Sequence, residues 1–255
     1  MNVLLTNVIT IYKQTENMTE AESELEVYRV LKAPPAIYYI PEYVTKEEEE
    51  SLMKNVYSAP KPKWTQLSNR RLQNWGGLPH PKGMIMEDLP SWLKIYTDKI
   101  AASGARLFGD KSLNHVLVNE YEAGQGIMPH EDGSLFFPTV STISLGSHTL
   151  LDFYYHIKQE EDPEKNNCTS QDERHFVSIL LEPRSLVFVT EDMYKLHLHG
   201  IKERTSDEIT DKVANLDQCK SVSVGDNLVR STRVSLTIRH VPRILKAKLF
   251  MGKKR

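Results

Sequence analysis

Apolar positions follow two regimes along this chain, and the change falls near Gly109. Before it, apolar residues recur at helical spacing or form short isolated runs. Ala36–Ile40, behind the Pro34-Pro35 break, reads as a buried strand. Thr45 with Glu48 three residues later forms a capping box and opens a helix through about Tyr57, with Leu52, Met53, Val56 and Tyr57 on one face. The Glu47–Glu50 run belongs to its first turn, where the helix dipole favours acids. A second helix runs from about Ser91 to Ser103, with Trp92, Leu93, Tyr96 and Ile100 as its buried stripe. Between the helices, Lys61–Glu87 reads as loop, broken by Pro62, Gly76, Gly77, Pro79, Pro81 and Gly83. Residues 1–33 carry scattered charge and weak periodicity, and read as a flexible arm with one short strand near Glu26–Leu31.

After Gly109 short strand-like runs alternate with turns: Val116–Tyr121, Thr139–Leu145, Thr149–Tyr155, His175–Leu181, Ser185–Val189, Leu196–Ile201 and Arg233–Val241. This pattern predicts a β-sandwich or barrel. Two polar stretches interrupt it, Lys158–Glu173 and Lys202–Arg230, neither with a clear strand period. The helices have no second core of their own. The expected architecture is therefore one mainly β domain over residues 34–255, a double-sheet core with the N-terminal helices packed on one sheet.

The 255 residues suffice for a sizeable core. With 32 Lys and Arg against 34 Asp and Glu the net charge is −2, which excludes coating of nucleic acid by bulk charge but leaves room for a local basic patch. No stretch approaches the ~18 apolar residues of a membrane span, and Met1–Lys13 makes a poor signal peptide. Cys168 and Cys219 cannot build a disulfide framework. A reducing compartment, cytoplasmic and nuclear, and a monomeric state without membrane contact are the expectations.

Candidate chemistry starts at His130-Glu131-Asp132. In an extended segment His130 and Asp132 share a face, so an imidazole and a carboxylate can reach one divalent ion. In Leu196-His197-Leu198-His199-Gly200 either histidine can complete two histidines and one carboxylate, the facial set of non-haem Fe(II) oxygenases, which keeps positions open for cosubstrate and O2. The cysteines lie in the polar stretches and are excluded as ligands. The strand Arg233-Val234-Ser235-Leu236-Thr237-Ile238-Arg239 alternates without fault, placing Arg233, Ser235, Thr237 and Arg239 on one face. Either that face is solvated at an edge, or it lines the interior and its arginines need an anionic partner, for which a small dicarboxylate gripped by a guanidinium fits. Asn119 and Tyr121 share a face of their own strand.

Together, Asn119-x-Tyr121, His130-x-Asp132, His199-Gly200-Ile201 and Arg233 to Arg239 resemble the AlkB-like family of Fe(II)/2-oxoglutarate dioxygenases over roughly residues 36–250. Asn69–Gly77, Met128–Gly133 and Pro138–His148 are similar to one subgroup of it. The resemblance implies a double-stranded β-helix, a jelly-roll variant, with iron held by His130, Asp132 and His199, the histidine before Gly-Ile being favoured over His197. It implies that Arg233, helped by Tyr121, pairs with the far carboxylate of 2-oxoglutarate, and that Arg239 and Asn119 support the end nearer the metal. The implied activity is oxidative demethylation of N-alkylated single-stranded DNA or RNA with release of formaldehyde, in DNA repair or RNA modification. Lys61–Glu87 lies where the family has its nucleotide-recognition lid. Arg70, Arg71 and Trp75 are its candidate substrate contacts, Trp64 and Trp75 being open to a core role as well. Repair members carry a second carboxylate two residues after the iron Asp, where Ser134 stands here as a further candidate substrate contact, so base preference does not transfer. Residues 202–230 are either a lid or disordered. A 2-oxoglutarate oxygenase acting on a protein side chain and a nucleic-acid-binding module with little turnover are the alternative readings.

Overall fold

The computed structural model describes residues 24–157 and 170–245. Eleven of its strands form two sheets: β1 (Ile37–Ile40), β2 (Trp64–Gln66), β3 (Arg71–Trp75), β4 (His115–Tyr121), β5 (Ile127–His130), β6 (Thr139–Leu145), β7 (Thr149–Tyr154), β8 (His175–Leu181), β9 (Leu186–Thr190), β10 (Leu198–Ile201) and β11 (Arg233–Arg239). The larger sheet runs β1-β9-β6-β11-β4-β3-β2 and the smaller β5-β10-β7-β8. All their pairings are antiparallel. This is the expected mainly β double-sheet core.

Period-2 alternation sorts the larger sheet into two faces. Val116, Val118, Ile143, Leu186, Phe188, Val234, Leu236 and Ile238 point to one side, where α1 (Lys46–Tyr57) and α2 (Ser91–Ser103) cover them with Leu52, Val56, Leu93 and Ile100. The other face meets the smaller sheet through Val140, Val187 and Val189 against Phe153, Val177, Ile179 and Leu181. The predicted capping box of α1 is formed, Glu48 N donating to Thr45 Oγ1 (3.2 Å) and Thr45 N to Glu48 Oε2 (2.8 Å).

Three expectations change. Residues 1–23 of the arm lie outside the described residues, but 24–33 are docked: Leu25 and Val30 are buried, and Val30 and Ile37 share a backbone hydrogen bond (2.9 Å). Lys61–Glu87 is not all loop, because it supplies β2 and β3 to the larger sheet. Neither Pro nor Gly falls within Arg71–Trp75, and pairing to β4 compensates for its polar composition. Residues 202–230 are ordered and are not a lid. Ile209, Val213, Leu216, Val222 and Leu228 pack on Leu150 and Leu180, on the outer side of the smaller sheet. The segment also covers the edge of β8, with Ser178 N donating to Lys212 O (2.9 Å) and the Asn215 side chain bonding both backbone groups of Leu180. A buried charge cluster anchors it: Asp207 accepts two hydrogen bonds from Arg230 (2.6 and 2.7 Å) and faces Arg204 (2.8 Å) and His148 (3.4 Å).

Candidate metal centre and anion pocket

Between the sheets lies a cavity of about 280 Å³ that gathers Asn119, Tyr121, His130, Asp132, His199, Arg233 and Arg239. Asn119, Tyr121, His130, His199, Arg233 and Arg239 meet there from inward positions of their strands, and Asp132 joins them from the coil just after β5. β11 pairs β4 with Arg233 opposite Tyr121 and Ser235 opposite Asn119, and β10 pairs β5 with His199 opposite His130.

His130, Asp132 and His199 each offer one ligand atom, all within 4.8 Å of one another. The His130 and His199 rings are 4.5 Å apart. His130 Nδ1 lies 2.9 Å from the Met128 carbonyl, an acceptor; donation to it leaves Nε2 as the free base. Burial, opposed by Asp132 and reinforced by His130 and Arg239, pushes the His199 imidazole down to about 4. It is therefore neutral, as a ligand must be. Asp132 Oδ1 accepts a hydrogen bond from Arg239 Nη2, the outer support that ligating carboxylates commonly have. Two imidazoles and one carboxylate on one side suit Fe(II) with open positions. His197 lies outside the cluster, against Tyr155 and Phe176.

The anion end is equally legible. Arg233 is 4 % exposed, donates from Nη2 to Ser144 Oγ (2.8 Å), sits over the Tyr121 ring (5.8 Å), and has no hydrogen-bond partner for Nε. Among the described residues it forms no ion pair. Burial holds its guanidinium down to about 10, only partly offset by Tyr121. Arg239 Nε is buried and unpartnered as well. Such orphaned donors call for a buried anion, and a dicarboxylate in a cavity of this volume supplies it. Both the metal and the dicarboxylate thus fit the residues present.

The nominated substrate contacts divide. Arg70, in the turn between β2 and β3, lines the cavity and donates from Nε to Asn119 Oδ1 (3.2 Å). Arg71 and Trp75 do not reach it: with Gln73 they take the opposite parity of β3 and face the helices. Arg71 grips Glu120 (2.6 and 2.9 Å) and lies over Trp64 (4.2 Å), and Trp75 packs edge-on against Trp92 (5.7 Å). Ser134 is exposed and does not line the cavity. Sequence reasoning missed Phe136, which stacks on Arg239 (4.4 Å), and Ser144. For Ser144 the inward parity of β6 was an available signal; for Phe136 there was none.

A family model for the 2OG-Fe(II) oxygenase superfamily matches residues 18–239. The chain belongs to that superfamily. The oxygenase uses Fe(II) and 2-oxoglutarate, with O2 as the second cosubstrate. A Danio rerio protein named "Probable RNA/DNA demethylase ALKBH6" is 55% identical over 238 residues, 93% of this chain and 99% of its own. The subgroup resembled by Asn69–Gly77 and its companion motifs is this one, AlkB homologue 6. The oxygenase is also 30% identical over 210 residues to "Uncharacterized protein L905" of Acanthamoeba polyphaga mimivirus, 79% of this chain and 83% of that one. In fold it is similar to the solved structure of OsALKBH1, with a TM-score of 0.54 at 16% identity, covering 82% of this chain and 99% of that one.

Proposed function

We propose that this oxygenase removes N-alkyl groups from the bases of single-stranded DNA or RNA as formaldehyde, working as a monomer in the cytoplasm and nucleus. The observation that carries the enzymatic reading is the meeting of a three-ligand cluster and an orphaned, buried Arg233 in one cavity. The substrate class is supported by the demethylase name of the Danio rerio relative and by Arg70 at the cavity wall.

In this reading His130, Asp132 and His199 hold Fe(II). Arg233 would take the far carboxylate of 2-oxoglutarate through charge-assisted hydrogen bonds, and the Tyr121 phenol, kept un-ionised by its burial, would add a donor. Arg239 and Asn119 serve the end nearer the metal, Arg239 fixing Asp132 at the same time. When bound, iron and cosubstrate supply O2-driven oxidation of a C–H bond, with 2-oxoglutarate converted to succinate and CO2. The chain orients these groups and, through Val140, Leu151, Leu181, Val187, Val189 and Ile201, lines the space with apolar surface that excludes water. An N-methyl group held there becomes N-hydroxymethyl and leaves as formaldehyde, restoring N–H. A base reaches such a recessed site only when unstacked, which favours single strands.

The test is formaldehyde release from a set of N-methylated single-stranded oligonucleotides, alongside methylated peptides and unmethylated controls. Release that requires the oligonucleotide supports the reading. 2-Oxoglutarate turnover stimulated by peptide alone transfers the chemistry to protein side chains, and oligonucleotide binding without turnover leaves a binding module.

A further inference from the structure

We propose that the exposed stack of Tyr155 on Phe176, edged by His197 and Arg174, is a second nucleobase site that holds the base next to the one in the cavity. The inference rests on the nucleic-acid reading above and specifies where the flanking strand lies.

Its position follows from register. His199 is opposite Phe153 and Leu198 opposite Tyr154. One parity step outward, His197 and Tyr155 therefore lie on the same cavity-facing side, their rings 5.6 Å apart. The step along the strand is ~7 Å, roughly twice the 3.4 Å rise of stacked bases and within reach of one unstacked nucleotide. Phe176 packs on the cluster that holds Val140, Val187 and Val189 of the cavity lining, and Glu131 of the cavity wall lies 3.5 Å from His156, the residue after Tyr155.

Its construction suits a base. Tyr155 and Phe176 are stacked at 4.3 Å and 24°, and His197 lies 4.7 Å from Phe176. Phe176 rests on the inter-sheet core, so the support is rigid. Tyr155 remains 52 % exposed. Arg174 donates from Nη1 to the Tyr155 carbonyl (2.9 Å), which holds a guanidinium at the backbone of that residue, and among the described residues it forms no ion pair. An open aromatic face with a cation held on the neighbouring backbone is a combination that can hold single strands without regard to sequence. Among the described residues the exposed Phe, Tyr and Trp rings are Tyr57 and Tyr155, and Tyr57 stacks on Trp64 on the helix side. The aromatics of the Lys61–Glu87 segment face the wrong way for this task.

The experiment measures binding of thymidine mononucleotide and oligothymidylate of four nucleotides to the protein loaded with Mn(II) and 2-oxoglutarate, for the parent, Y155A, Y155L and Y155F. The parent is expected to bind the tetranucleotide more tightly than the mononucleotide. Y155A and Y155L should each lose about 5- to 100-fold on the tetranucleotide and keep the mononucleotide and 2-oxoglutarate affinities, with Y155F close to the parent. Tetranucleotide binding by Y155A and Y155L equal to the parent's overturns the site, as does an equal loss on both ligands or a parent with no gain from length. A parent that binds neither ligand overturns the nucleic-acid reading itself.

Discussion

Replacing Arg233 by Met separates what this side chain costs the fold from what it does for the cosubstrate. The charged guanidinium is held down from 12.5 to about 10 by burial, which corresponds to roughly 3 kcal/mol of cost. Against that stand one hydrogen bond to Ser144 and the packing of the side chain; leaving Ser144 unpaired costs about 1 kcal/mol. Methionine fills similar space without the charge, and exchanging buried ions for apolar groups is often neutral or stabilising. The ligand-free R233M protein should therefore unfold at the parent's temperature or a few degrees above it, since each 1 kcal/mol shifts the midpoint by about 2–4 °C for a chain of this size. Cosubstrate binding moves the other way. Losing two charge-assisted hydrogen bonds, at about 1.5–3 kcal/mol each, weakens 2-oxoglutarate binding by at least about a hundredfold. Thermal unfolding with and without Mn(II) and 2-oxoglutarate, and calorimetric titration of 2-oxoglutarate, read both quantities. Binding within threefold of the parent would refute the assignment, and a ligand-free variant several kcal/mol less stable would show that Arg233 is a structural ion.

Three further outcomes follow from the same geometry. Burial alone would raise the Asp207 carboxyl, but the His148 ring 3.4 Å away, the hydrogen bonds from Arg230 and the charges of Arg230 and Arg204 outweigh it and hold the group far below the carboxylate range. Its contribution is present above the unfolded-state value near 4 and is lost as pH falls towards the folded one, so D207N should lose about 3–5 kcal/mol at pH 7 in urea unfolding and show a flatter acid limb; a parent-like acid limb would count against this. R71A, which strands the buried Glu120, should lower the unfolding midpoint and leave substrate KM unchanged, whereas R70A should raise KM severalfold with little effect on the midpoint; the reverse pairing would contradict the parity argument. At Gly76, with φ +85°, a Cβ would sit 2.1 Å from the Asn114 carbonyl oxygen, so G76A should destabilise by about 2 kcal/mol or more, and a neutral result in chemical unfolding would contradict it.

Much of this site is legible from spacing because the histidine and arginine positions obey strand parity, with Asp132 two residues after His130 in the coil that follows β5. Arg233 and Arg239 share the polar face of a strand whose other face is Val234, Leu236 and Ile238, and the structure places that polar face inward. The same rule, applied to Lys61–Glu87, would have separated Arg70 from Arg71 and Trp75. Proline and glycine around the segment mask the short strand inside it.

Local sequence was enough for the α1 cap, both long helices, the alternating strands of the core, and the residue types that could bind a metal and a dicarboxylate. Each of these depends on neighbours within a few positions, through a hydrogen bond across one turn or a side chain every second residue. What faces what required the fold. The resemblance already favours His199 over His197, but its meeting with His130 comes from pairing with β5, and the docking of 202–230 on the outer side of the smaller sheet comes from apolar residues with no regular period. The meeting of Tyr155 with Phe176 depends on register between β7 and β8, set by contacts more than twenty residues apart. Register is decided by which faces can be buried together, and that is a property of the assembled sheets.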